Sequence, residues 1–333
     1  MTKLSDIAKL VGCSVATVSN AINGRGRMSE ETRAEVLRLC KEMNFVPNSA
    51  GRSLRLQRTD GGGVIYAPSF AELFGNVFYA RIMEGMADTF SEAGIDLMLG
   101  HRVAEGELPG IVRQGKVDAL VVLAGVFGPE TFERLKTCPV PVCVVDGHVE
   151  SLRADSLTND GFDGGRQVAD HLVAQGHREV EMVAYDSPIY NIEQRIAGFL
   201  AGLRARGVDL PEERLVARVR NDDGALIHLL GRLRQANPPT AVFAVNDTLA
   251  VHLVEGLKKA GVRVPEEVSM VGFDDDLPAV RCEPALTTVG MDKRDLGAIS
   301  ANMVLERISQ PDKDPVHHVE PTRLVIRDSV AKI

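Results

Sequence analysis

Four polar residues stand where an α/β chain gathers its ligands. Asp146 follows the apolar run Val-Cys-Val-Val, Asn246 follows Ala-Val-Phe-Ala-Val, and Asp274 follows Met-Val-Gly-Phe. Arg195 begins Arg-Ile-Ala-Gly-Phe on a helical stretch after the Tyr185–Tyr190 segment. Ligands of open parallel sheets collect at the carboxyl ends of strands, so residues directly after such runs are the first to inspect. A set of carboxylate, arginine and amide suits hydroxyl-rich ligands, because each group can bond paired hydroxyls. Asp247 and Asp275, beside two of these positions, read as structural caps. Phosphate-cradling glycine loops, His-Glu-x-x-His and nucleophile elbows do not occur. The eight histidines do not cluster at ligand spacing, with His317-His318 isolated in a polar stretch that reads as a surface loop. Asp274-Asp275-Asp276 lacks the alternating spacing of a calcium loop. No catalytic residue, metal or cofactor is expected, and the chain does not read as an enzyme.

A second constellation lies near the amino terminus. Val15, Ala16, Thr17, Ser19 and Asn20 fall on the outward side of a helical stretch whose Val18, Ala21 and Ile22 face inward. Asn20 can pair with adenine through both amide groups, and Val15 and Ala16 offer methyl contacts to thymine. Thr17, Ser19 and Asn23 are short donors suited to phosphate, which fixes register without reading sequence.

The elements that must carry these residues follow from periodicity. Leu4, Ile7, Ala8 and Val11 recur at helical spacing, and Gly12 then permits a tight turn. Ser14 can cap a second helix from Val15 to about Ile22. A third opens at Ser29-Glu30-Glu31, with Val36, Leu37, Cys40 and Met43 as its expected inward stripe. Three short helices with a glycine turn after the first describe a helix-turn-helix unit. Residues 1–60 carry net charge +4 and the remainder −12, within a total of −8. A small basic unit on a large acidic body points to nucleic acid at the basic end. From Gly61 onward apolar strand-like runs alternate with helical patterns, which means doubly wound parallel sheets. About 270 residues suit two such sheets, and the cleft between them is the natural ligand site. No run of about 18 uncharged apolar residues exists, so no membrane span is expected. The opening residues lack a secretory signal, and five cysteines without a Cys-x-x-Cys pair suit reduced thiols. The expected location is cytoplasmic and nucleoid-associated.

Leu4-Ser-Asp-Ile-Ala-Lys-Leu-Val-Gly-Cys-Ser-Val-Ala-Thr-Val-Ser-Asn-Ala-Ile-Asn-Gly resembles the headpiece of LacI/GalR-family repressors, and Ser29-Glu-Glu-Thr-Arg with Phe45-Val-Pro-Asn continues the likeness. The resemblance implies a headpiece over 1–46, a hinge helix and linker over 47–60, and a periplasmic-binding-protein-like sensor over 61–333. Within the sensor, one subdomain would take about 61–158 with 291–320, and the other about 159–290 with 321–333. It implies that Asp146, Arg195, Asn246 and Asp274 contact a small-molecule effector. Aromatics after the first strand, Phe78 and Tyr79 here, would lie over it, although Phe70–Tyr79 departs from the family's usual segment. Sugars fit best, while relatives bind nucleobases and nucleosides through similar positions. The resemblance further implies a homodimer on pseudo-palindromic double-stranded DNA, with Leu54 of the hinge wedged between central base steps. Arg52 and Arg55 would lie near phosphates. The chain shows no leucine-rich heptad tail after Arg323-Leu-Val-Ile-Arg-Asp-Ser, which favours a dimer over a tetramer. Repression is favoured over activation, and a solute-binding protein or a sugar-acting enzyme is opposed by the headpiece.

Gly51 stands where the family usually has alanine. Glycine inside a helix costs about 1 kcal/mol relative to alanine, so this hinge should be reluctant to order without DNA. Gly51→Ala is therefore expected to tighten operator binding and blunt effector control. Unchanged affinity together with unchanged induction, measured by titration of operator with and without effector, would contradict it.

Overall fold

A computed structural model describes residues 2–22, 24–45, 58–66, 76–100, 107–123, 127, 129–209 and 211–333. The chain divides into two compact units, residues 1–59 and 60–333. Asn23, Gly51, Arg52, Leu54 and Arg55 lie outside the described residues.

In the first unit, α1 (Leu4–Val11), α2 (Val15–Ile22) and α3 (Glu30–Glu42) enclose Ile7, Ala8, Val18, Ala21 and Val36. Gly12 turns the chain between the first two helices at φ 71°. Ser14 Oγ accepts the Thr17 N–H at 3.0 Å, and Ser29 Oγ accepts the Thr32 N–H at 3.1 Å. Each cap satisfies a donor that the first helical turn leaves unpaired. Leu37 does not join the core: it is 47% exposed, and Leu39 packs there instead. From Val36, residues 39, 40 and 43 fall at the +3, +4 and +7 positions of one face, whereas residue 37 is a quarter-turn away.

The second unit begins with β1 (Gly61–Ile65), α4 (Val77–Glu92), β2 (Asp96–Gly100), α5 (Gly110–Arg113), β3 (Ala119–Leu123), α6 (Pro129–Leu135), β4 (Val142–Val145) and β5 (Asp155–Asn159). It continues with α7 (Gly161–Ala174), β6 (Val180–Tyr185), α8 (Tyr190–Ala205), α9 (Glu212–Leu215), β7 (Val216–Val219), α10 (Asp222–Arg232), β8 (Ala241–Ala244), α11 (Asp247–Lys259), β9 (Ser269–Val271), α12 (Leu277–Arg281) and β10 (Thr288–Gly290). The chain closes with α13 (Lys293–Ser309), β11 (His317–Glu320) and β12 (Arg323–Val325).

One sheet has strand order β11-β5-β4-β3-β1-β2 and the other β7-β6-β8-β9, both parallel, while β10 and β12 form an antiparallel ladder. The strands β3, β4 and β8 are buried along their whole length. That is why they read as unbroken apolar runs: helices cover both faces of a parallel sheet. His317-His318 is an edge strand rather than a surface loop, paired with Ser156 and Leu157 of β5. The chain passes between the two sheets after Asn159, after Gly290 and after Glu320. We call the two sheets with their helices the first and second lobes.

Each lobe packs two helices with their backbones touching. In the second, α7 and α8 cross at Gly165 and Gly198: a Cβ on Gly165 would collide with the Arg195 carbonyl, and one on Gly198 with the Phe162 carbonyl. Gly85 of α4 and Gly297 of α13 do the same in the first lobe. Overpacking of this kind costs roughly 1–3 kcal/mol. Gly165→Ala should therefore lower stability by about that amount, read as a fall in urea midpoint. Gly231 of α10 has open space where a Cβ would go, so Gly231→Ala should be neutral or stabilising by up to about 1 kcal/mol. Equal effects of the two substitutions would refute the close-crossing account.

Candidate functional site

The two doubly wound sheets direct their strand carboxyl ends toward a common set of polar side chains, the place where such folds hold ligands. Asp146 leaves β4 at φ 62°, with its N–H bonded to the Leu157 carbonyl at 2.9 Å. Its Oδ2 accepts from the Tyr79 hydroxyl of α4 at 2.8 Å. Its Oδ1 accepts from Asn191 Nδ2 of α8, which also donates to the Asp146 carbonyl at 3.1 Å. Asp146 thus joins a helix of the first lobe to a helix of the second.

One turn beyond Asn191, Arg195 is only 6% exposed. Its Nη1 donates to the Val245 carbonyl at 2.7 Å and its Nη2 to Asp274 Oδ1 at 3.0 Å. The guanidinium lies 3.8 Å from the centre of the Phe273 ring, adding a cation–π contact. Arg195 therefore ties the end of β8 to the loop after β9. Asp274 is held at φ 115°, a backbone region that few side chains adopt, and its carbonyl accepts from Lys293 Nζ. The same ammonium sits 3.3 Å from Asp276 Oδ1. Strain of this kind persists where surrounding bonds over-determine the backbone, and such places are often binding sites.

Asn246 is the cap of α11, its Oδ1 accepting the Leu249 N–H at 2.9 Å, a bond that does not use its amide nitrogen. Asp247, expected as a cap, is instead fully buried, accepting from the Thr288 hydroxyl at 2.6 Å and the Asp276 N–H at 2.8 Å. Asp275 accepts from Arg327. Phe78 does not belong with the polar set. It is 6% exposed within the first lobe's core, its ring edge-on to Tyr79 at 5.2 Å. Tyr79 carries the aromatic contribution, with Tyr66 tilted against it at 5.0 Å. Residues missed from the sequence are Asn191, Phe273 and Lys293. Asn191 alone left a signal, since it lies four positions before Arg195 and so shares its helix face.

In the first unit, Val15, Ala16 and Asn20 form an exposed face on α2. Thr17 and Ser19 are half-buried, and the Thr17 hydroxyl is 2.9 Å from that of Ser14. The Asn20 side chain packs beside Gly26, where a Cβ would approach its amide nitrogen to 3.1 Å. The geometry is that of a second helix in a helix-turn-helix presented to a groove.

The chain matches two family models: bacterial regulatory proteins, lacI family, over residues 3–48, and the periplasmic binding protein-like domain over residues 169–330. Among curated relatives, the HTH-type transcriptional regulator CelR of Thermobifida fusca is 31% identical over 98% of this chain and 97% of its own. The HTH-type transcriptional repressor PurR of Vibrio vulnificus is 28% identical over the whole of both chains. Among solved structures, a transcriptional regulator CelR–cellobiose complex superposes with a TM-score of 0.74 at 28% identity, covering 99% of this chain and 100% of that one.

Burial dominates the electrostatics of the cleft. It raises the Asp146 carboxyl from 3.8 to about 6, against the opposing pull of the Tyr79 hydroxyl, Arg195 and Asn191. It raises Asp274 to about 7 although Arg195 is bonded to it. Burial and the Asp146 charge push the Tyr79 hydroxyl well above its usual value. A carboxyl that holds its proton more tightly when folded favours the fold below its unfolded pKa and loses that contribution as pH rises through the folded value. Between pH 5 and 8 the Asp146 ionisation should cost the fold about 1 kcal/mol. Asp146→Asn removes the ionisation, and Asn191 can turn its unpaired Oδ1 toward the new amide. The stability of wild type relative to Asp146→Asn should therefore fall from pH 5 to pH 8. A gap that stays constant in thermal melts would show that Asp146 does not titrate in that window.

Proposed function

The chain belongs to the LacI family of bacterial regulatory proteins, and on that premise we propose that it is a repressor whose hold on operator DNA is set by a sugar bound between the two lobes. As a member of the family it is a DNA-binding transcriptional regulator with an effector-binding domain, not an enzyme.

The observation that carries the sugar reading is the cross-lobe polar set of Tyr79, Asp146, Asn191, Arg195 and Asp274. Its carboxylates accept, its guanidinium and amides donate, and aromatic faces lie alongside, which is the complement of a hydroxyl-rich ring. The cellobiose in the CelR complex supports the same class. Asp146, Arg195, Asp274 and the Asn246 amide nitrogen contact the sugar, with Tyr79 beside it.

On DNA, Asn20 pairs with adenine while Val15 and Ala16 touch thymine methyls. Thr17, Ser19, Asn23, Arg52 and Arg55 hold phosphates, and Leu54 wedges the central step. A homodimer places two such units on a pseudo-palindromic operator. Sugar and operator then act on each other reciprocally, each changing the other's affinity by the same factor.

A thermal-shift screen tests the ligand class. A ligand at 100 times its dissociation constant stabilises by about 2.7 kcal/mol, so a bound mono- or disaccharide should raise the melting temperature clearly. A shift seen only with purine bases or nucleosides would replace the sugar with a nucleobase effector.

A further inference from the structure

Asn159 is the last residue of β5 before the first crossover, and it is 3% exposed. Neither its amide oxygen nor its amide nitrogen has a hydrogen-bond partner among the described residues. Such groups have given up water and received nothing in return, so they are few in folded proteins and each needs a reason. Two other polar side chains of the same strand are matched. Asp155 is held by Arg307 and the Val316 N–H, and Ser156 lies between His148 and His317.

The location supplies a reason. Asn159 stands at the carboxyl end of a parallel strand beside β4, whose end carries Asp146. Strand alternation puts it on the sheet face of Leu157, which shares a core cluster with Tyr79. Two residues on, a Cβ at Gly161 would meet the Arg195 Cγ and the Asn191 carbonyl, each at 3.4 Å. The strand end therefore abuts the helical turn that carries Asn191 and Arg195. Both of those residues also keep a buried unpaired atom, Asn191 Oδ1 and Arg195 Nε. Four of the seven such side-chain atoms among the described residues thus belong to this one corner. Two are donors and two are acceptors.

We propose that Asn159 is an effector-contacting, specificity-determining residue whose amide meets two neighbouring hydroxyls of an uncharged sugar. The inference rests on the reading of the cleft as a sugar site. A hydroxyl both donates and accepts, so a vicinal pair satisfies an amide's oxygen and nitrogen together. The nearby acceptors, Asp146, Asp274 and Asn191 Oδ1, call for donors, and Arg195, the cation among them, is already bonded to Asp274, which favours an uncharged sugar over a sugar phosphate. Asn159 also sits on the strand that leads from one lobe into the other, so a sugar held there grips the crossover itself.

Asn159→Leu, with the same branching and heavy-atom count but without polar atoms, separates this role from a structural one. The free variant should melt at the same temperature as wild type or a few degrees higher, because unpaired buried groups are removed. Its affinity for the neutral saccharide that stabilises wild type, with cellobiose in the panel, should fall at least tenfold by calorimetry. Asn159→Ala, which opens space instead of filling it, must show the same loss. Undiminished affinity in both variants overturns the role of Asn159 while leaving the sugar reading in place. A wild type shifted by no saccharide overturns the sugar reading and this inference together. Tighter binding of glucose 6-phosphate than of glucose or cellobiose overturns the uncharged class alone.

Discussion

Taking a carboxylate out of water is costly unless it is paired and hydrogen-bonded, and the sensor unit is organised around that constraint. Asp146, Asp247 and Asp274 are all raised above their ordinary pKa by burial at or beside strand ends. Each must find partners, and the partners come from elements far apart in sequence. Tyr79 and Asn191 serve Asp146, Thr288 and the Asp276 backbone serve Asp247, and Arg195 serves Asp274. The helix α8 is the common member, holding one lobe through Asn191 and two strand ends of its own lobe through Arg195. Its exact seat depends on Gly165, whose missing side chain lets the Arg195 carbonyl approach.

The same economy governs the passages between lobes. Lys293 begins α13 of the first lobe yet gives its ammonium to the carbonyls of Asp274 and Asp275 in the second. Thr322 donates to the Asp160 carbonyl at 3.0 Å, and Gln167 bonds both the Thr322 carbonyl and the Leu324 N–H. The first and third crossovers are thereby joined, and the second is bonded to the Asp274 loop. A ligand that changes bonds at Asp146 or Asp274 acts on groups already connected to the chain segments about which the lobes turn. This is the physical content of an effector-controlled regulator in this fold: differential contacts made where two arrangements of the same lobes differ.

Legibility varied with the kind of force at work. The headpiece helices were readable because short amphipathic helices need a regular apolar stripe and visible caps, and Ser14 and Ser29 supply them. Leu37 is apolar yet misses the core, because helix geometry turns it about a quarter-turn from the face that Val36, Leu39, Cys40 and Met43 share. The strands β3, β4 and β8 were readable as continuous apolar runs. By contrast β5, Asp-Ser-Leu-Thr-Asn, is buried at every position without an apolar pattern: Arg307 satisfies Asp155, and His148 and His317 satisfy Ser156, from outside the strand. Phe78 and Tyr79 look alike in sequence, and only packing separated a core ring from a hydroxyl aimed at Asp146.

The sequence by itself determined the division into a basic three-helix unit and an acidic α/β body, and the polar residues that follow the apolar strands. Those features are local: charge, period and the identity of a residue next to a run. Only the tertiary structure decided that Asn191 bridges to Asp146, that Asp247 is buried against Thr288 and the Asp276 N–H, and that Asn159 is buried with its amide oxygen and nitrogen unpaired. Such facts depend on which atoms meet across distances of tens to hundreds of residues. A hydrogen bond, or the lack of one, is a property of the pair and leaves no mark on either residue alone.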